Sequence, residues 1–230
     1  MRKKQKGDGD MGRSHVAHLN GIPIFYERSG AGRPLVMVHG NGEDHGIFRE
    51  AEALLRQSFD CILVDSRGHG RSGRVPELHY TDMAKDMLAL LERLELRNVL
   101  FYGFSDGGIV GLLTASQTDR IGTLVVSGAN LRPEGVKPGL LAQLRLRQLL
   151  RPDPLAALML REPDIRDEQL RAIRCETLVL AGSRDLIRES ETRHIANTIP
   201  EAKLRILEGE DHGSYIVHSE TIARILLEYS

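Results

Sequence analysis

The chain has 230 residues, 41% hydrophobic and 27% charged, an ordinary globular mixture that excludes a fibrous or intrinsically disordered protein. Thirty-one Lys and Arg against 32 Asp and Glu leave a net charge of -1, so the overall balance gives no drive toward nucleic acid or an anionic membrane. No apolar run approaches the ~18 residues of a membrane helix, and a chain of this size buries about 70% of its unfolded surface in one substantial core.

Residues 1–13 begin basic and turn Gly- and Asp-rich, which predicts a flexible tail. No apolar stretch follows it, so a cytoplasmic protein is expected rather than a secreted one. Asn20-Gly21 marks a turn, and residues 22–27 read as a strand. Residues 35–38 form a continuous apolar run, the pattern of a strand buried on both faces. Residues 61–64, 99–102, 124–126, 178–180 and 204–207 repeat it. Helical patterns lie between them, at 48–55, 83–94, 109–114, 195–199 and 222–227. This alternation predicts an α/β fold, a mostly parallel twisted central sheet with helices on both faces, as a single domain over residues 14–230.

Residues 131–174 break the alternation. They hold Pro133, Pro138, Pro152, Pro154 and Pro163 and helical pieces at 140–150, 155–160 and 168–173, which predicts a helical cap over the sheet edge. Cys61 and Cys175 lie far apart, each beside an apolar run, and are expected to be two buried thiols. No set of Cys and His at metal-ligand spacing is found.

Ligands on parallel sheets bind where strands end, so the residues after each apolar run carry the functional reading. Gly103-Phe104-Ser105-Asp106-Gly107 follows the run at 99–102 and opens a helix. Such a sharp strand-to-helix turn exposes a serine hydroxyl, and the flanking glycines remove Cβ atoms that would clash. A hydroxyl needs a base, and the base needs an orienting acid. Asp185 follows the run at 178–180 and His212 follows the run at 204–207, so Ser105, Asp185 and His212 each stand just past a different strand. Asp211 adjoins His212 and cannot curl back onto its neighbour's ring, which leaves Asp185 as the acid. His39-Gly40-Asn41-Gly42 follows the run at 35–38; the backbone N–H groups of Asn41 and Asp106 are the expected oxyanion hole. His39 is expected to be a structural hydrogen-bonder. Asp65 to Ser72 reads as a tight turn with internal salt bridges, the alternative being an anion site formed by Arg67 and Arg71.

In these motifs the chain resembles the α/β-hydrolase superfamily over roughly residues 16–229, and among its members the small esterases and aminoacyl-ester hydrolases with a short helical cap. The resemblance rests on His39 to Gly42, Asp65 to Ser72, Gly103 to Gly108, Asp185 and His212-Gly213. A serine at 105 sets the chain apart from the dehalogenase and epoxide-hydrolase branches. The resemblance implies a serine hydrolase in which Ser105 attacks an acyl carbonyl, His212 takes its proton, Asp185 orients His212, and water releases the acyl group. No cofactor, metal, nucleic acid or membrane is expected, only a small acyl substrate. Ester, lactone, thioester, amide or carbon–carbon bond cleavage all remain open on such a triad, as does a small-molecule receptor built on the same fold. Phe104, Leu140 and Met159, with Leu141, Leu155 and Leu158, line an acyl pocket or pack the cap on the sheet. Arg132, Lys137, Arg145, Arg147 and Arg151 against Glu134 favour an acidic substrate group, or form a solvated face balanced by Glu162, Asp164, Asp167 and Glu168.

Overall fold

The apolar runs alternate between two faces, and that alternation builds the molecule. In the computed structural model, which describes residues 12–230, Leu35 and Met37 enter one core cluster and Val36 and Val38 the other. This is the two-residue period of a strand covered on both sides. The strand is β3 (Arg33–Val38). Its relatives in the sheet are β4 (Phe59–Val64), β5 (Val99–Phe104), β6 (Ile121–Ser127), β7 (Glu176–Gly182) and β8 (Ala202–Leu207). Two further strands, β1 (Arg13–Leu19) and β2 (Ile22–Gly30), complete an eight-stranded sheet of order β1-β2-β4-β3-β5-β6-β7-β8. β4 to β8 and β3 run parallel, while β2 is antiparallel to both β1 and β4.

β1 is a strand the expected set lacked. Residues 1–11 of the predicted tail lie outside the described residues, and Arg13 already pairs with Arg28. The Asn20-Gly21 turn has φ of 47° and 82°, both left-handed, the conformation of a two-residue hairpin whose twist matches its strands. Only Ala17 and Leu19 of β1 are buried, which is why its apolar pattern was weak.

Helices α1 (Arg49–Leu55) and α8 (Thr221–Leu226) cover one face, where Phe48, Leu55, Ile222 and Leu226 meet Leu35, Cys61, Leu63 and Leu100. Helices α2 (Tyr80–Arg93), α3 (Asp106–Ala115) and α7 (Glu189–Thr198) cover the other. Between β6 and β7 the chain forms α4 (Pro138–Leu150), α5 (Pro154–Arg161) and α6 (Asp167–Ala172) and no strand, as the proline-rich stretch predicted. A single antiparallel bridge, Val136 to Ile187, ties the start of this insertion to the loop after β7.

The turn after β4 is held internally. Arg67 donates to both Asp86 oxygens at 2.6 and 2.7 Å, Arg71 N–H donates to Asp65 Oδ2, and the Arg71 guanidinium lies 4.0 Å above the Phe25 ring. Both arginines are thereby occupied in the structural reading rather than in an anion site. Cys61 is buried and Cys175 only half-buried, a correction to the expected pair of buried thiols, and neither forms a disulfide. Burial pushes the Cys61 thiol up, away from the thiolate form. Among the described residues no helix is long and apolar enough to cross a membrane.

Candidate active site

Three strand ends meet at one point. Ser105 follows β5 directly and caps α3 with φ 53° and ψ −113°, a strained positive-φ conformation for a residue with a Cβ. The surroundings fix it there: Ser105 N–H donates to Ser127 O at 2.7 Å, and Ser105 O accepts from Gly108 N–H and Ile109 N–H. A Cβ on Gly103 would lie 2.1 Å from Gly107 O, and one on Gly107 would lie 2.0 Å from Val38 O. The backbone therefore passes where side chains cannot fit, and the hydroxyl is pushed outward. His212 Nε2 lies 3.1 Å from Ser105 Oγ, and His212 Nδ1 lies 2.6 Å from Asp185 Oδ1. Asp185 is buried, and its Oδ1 also accepts the Ile187 N–H at 2.9 Å. The imidazole sits over Gly128, where a Cβ would come within 2.6 Å of Cε1.

The loop after β3 brings Asn41 to the same place. The Asn41 side-chain amide donates to Asp106 Oδ2 at 2.9 Å and reaches Leu155 O at 3.4 Å, joining the loop to α3 and α5. Asp106 is the first residue of α3, so its own N–H has no carbonyl in a preceding turn, and the Asn41 N–H makes no hydrogen bond among the described residues. Neither N–H has a hydrogen-bond partner among the described residues. Gly40 N–H donates to Glu43 Oε2 at 2.9 Å, which fixes the loop; burial pushes the Glu43 carboxyl up while that bond pulls it down. Tyr80 donates its hydroxyl to Asp106 Oδ1 at 2.8 Å. Burial raises Asp106, with the Asn41 and Tyr80 bonds opposing, and burial plus Asp106 hold Tyr80 well above its usual value, so it stays a donor. His39 Nδ1 lies 2.8 Å from Gly40 O, and His39 Nε2 accepts the Ser66 N–H. Burial, then His69, lower it to about 4; a neutral ring locked at both nitrogens is no base.

The cavity above Ser105 is about 20 Å³ in volume, room for one water molecule. Leu140 and Met159 line it. Phe104 does not: its ring packs against the His212 ring, centroids 5.0 Å apart. Tyr80, Asn130, Val136, Glu162, Leu186 and Ile187 complete the wall. Sequence reasoning misses this set because it assembles from segments far apart in the chain, joined by the Val136–Ile187 bridge and by the Tyr80–Glu162 hydrogen bond. Glu162 is anchored by Tyr80 N–H at 3.0 Å and by His79 at 2.6 Å. Among the described residues no Lys or Arg lines the cavity, and Arg145, Arg147 and Arg151 are exposed, so the cap arginines fit the solvated-face reading.

One other cluster combines potential metal ligands: Asp44, His45 and Asp65 lie within 4.8 Å of one another. Its atoms are already engaged. Asp65 Oδ1 accepts from His45 N–H and meets His45 Nδ1 at 2.7 Å, and Asp44 accepts the Gly46 N–H.

Known proteins resemble the chain along most of its length. The family model of the alpha/beta hydrolase fold matches residues 33–151. The chain is 27% identical over 258 residues to AB hydrolase superfamily protein YisY of Bacillus subtilis, covering 91% of this chain and 96% of that protein. It is 25% identical to the pimeloyl-(acyl-carrier protein) methyl ester esterase of Vibrio cholerae, covering 91% and 98%. Among solved structures, the esterase EaEST from Exiguobacterium antarcticum superposes with a TM-score of 0.80 at 23% identity, over 94% of this chain and 99% of that one, a likeness of fold.

Proposed function

The chain belongs to the α/β-hydrolase family, and we propose that this hydrolase cleaves a small carboxylic ester through an acyl-enzyme on Ser105. The observation that carries the reading is the continuous relay from Asp185 Oδ1 to His212 Nδ1 at 2.6 Å and from His212 Nε2 to Ser105 Oγ at 3.1 Å. The Ser105 hydroxyl donates its proton to Nε2 as its oxygen attacks the acyl carbon. The imidazolium so formed is stabilised by the buried Asp185 carboxylate. The Asn41 and Asp106 N–H groups hold the developing oxyanion, which needs donors free of other partners. His212 then returns the proton to the alcohol, which leaves. A water attacks the acyl-enzyme while His212 takes the water's proton; the acyl–Oγ bond then breaks, His212 returns that proton to Ser105 Oγ, and the carboxylic acid leaves. The named activity of the Vibrio cholerae relative supports an ester as the substrate.

Two experiments test this. A fluorophosphonate should label the native protein stoichiometrically, and labelling that survives Ser105→Ala defeats the assignment. On a series of short-chain p-nitrophenyl esters, Ser105→Ala and His212→Ala should each lower kcat by at least about 10³-fold, and the double variant by little more, because the residues act as a unit. Turnover that persists in His212→Ala overturns the base assignment.

A further inference from the structure

Helix α4 is covered on one side only. Leu141 packs with Val136 and Ile187, and Leu144 is buried on the same side. On the opposite side Leu146, Leu149 and Leu150 are 59%, 82% and 78% exposed. At roughly 100° per residue these three leucines span roughly 100° of the circumference, and Arg145 and Arg147 border the stripe on either flank. Arg151 follows at the helix end. Arg147 pairs with Asp153 at 2.7 Å, while Arg145, Arg151 and Lys137 make no ion pair among the described residues. α4 contains no Asp or Glu. The near-neutral balance of the whole chain thus hides a strongly basic, apolar ridge.

The charges select the occupant. Self-pairing of the stripe about a two-fold axis brings Arg145 and Arg151 of one copy toward their equivalents, which repel. A convex leucine ridge with a basic border instead fits a fluid, negatively charged surface, where leucines enter the acyl boundary and arginines meet phosphates. We propose that α4 is a docking element for an anionic phospholipid surface. Leu140, on the covered side of the same helix, lines the cavity above Ser105, so the docking stripe and the site lie on different sides of α4.

Co-sedimentation with vesicles tests this on the full chain, comparing phosphatidylcholine alone with phosphatidylcholine mixed equally with phosphatidylglycerol. The wild type should bind the mixed vesicles, bind pure phosphatidylcholine about tenfold or more weakly, and be released by salt. Leu149→Ser with Leu150→Ser should lower binding to mixed vesicles about tenfold or more. Arg145→Ser with Arg151→Ser should abolish the preference for mixed vesicles. Both variants should keep the wild-type near-UV circular dichroism, since the four side chains are exposed. Absent binding, equal binding to both vesicle types, or leucine variants that bind as wild type overturn the proposal. So does a dimer in sedimentation velocity that the leucine substitutions dissolve, which assigns the stripe to a second copy.

Discussion

Glycine carries two different burdens in this chain, and substitution separates them. Gly21 has φ 82°, and a Cβ there would meet nothing within 4 Å. Gly21→Ala should therefore cost only backbone strain, about 1 kcal/mol by urea unfolding. At Gly107 a Cβ would sit 2.0 Å from Val38 O, so Gly107→Ala must move main chain and should cost several times as much. Equal losses at the two positions contradict this account. The same residues show what the sequence discloses. The glycines around Ser105, with Asp185 and His212 each past a strand, were legible because close backbone approach and strand-end placement leave marks in one dimension. Phe104 is not legible in the same way, because periodicity does not say whether a ring at a strand end lines a cavity or packs on a neighbouring ring; here it packs against His212. Glu162 was read only as a counter-charge, and its place in the cavity wall depends on Tyr80 and His79, more than 80 positions away.

At the level of elements, every expected strand and helix has its counterpart, with ends that differ by a few residues. The parallel strands were legible because both faces are buried and the apolar run is unbroken. The exception, β1, buries two side chains of seven, and only the turn that follows it carries a clear mark. The connection from β4 to α2 rests on a buried ion pair. Arg67 is 8% exposed and clamps Asp86, with Asp82 at 3.7 Å. Removing one partner strands a charge in the interior, so Arg67→Ala should lower the unfolding free energy by about 3–5 kcal/mol. Arg67→Met paired with Asp86→Leu should lose distinctly less, because neither charge is then left behind. Chemical denaturation of the three variants reads this out, and a double variant as unstable as the single one contradicts it.

For the whole molecule, stability should depend on pH through one interior histidine. His45 lies between Asp65 Oδ1 at 2.7 Å and Glu27 Oε1 at 3.3 Å. Burial opposes its charge, the two carboxylates outweigh it, and its pKa ends above the free value. A group raised on folding contributes fully below its unfolded value, about 6.5 for histidine, and loses that contribution as pH rises through the folded value. The stability gap between wild type and His45→Gln, measured by urea unfolding at a series of pH values, should be widest below pH 6.5 and narrow on the alkaline side. Asp65 behaves oppositely: burial is outweighed by its bonds from His45 and Arg71, its pKa falls, and its contribution fades in acid. The chamber over Ser105 has a consequence at this scale too. About 20 Å³ is free between Leu140, Met159 and Glu162, so a bulky acyl reagent should reach Ser105 more slowly than a slim one of equal reactivity.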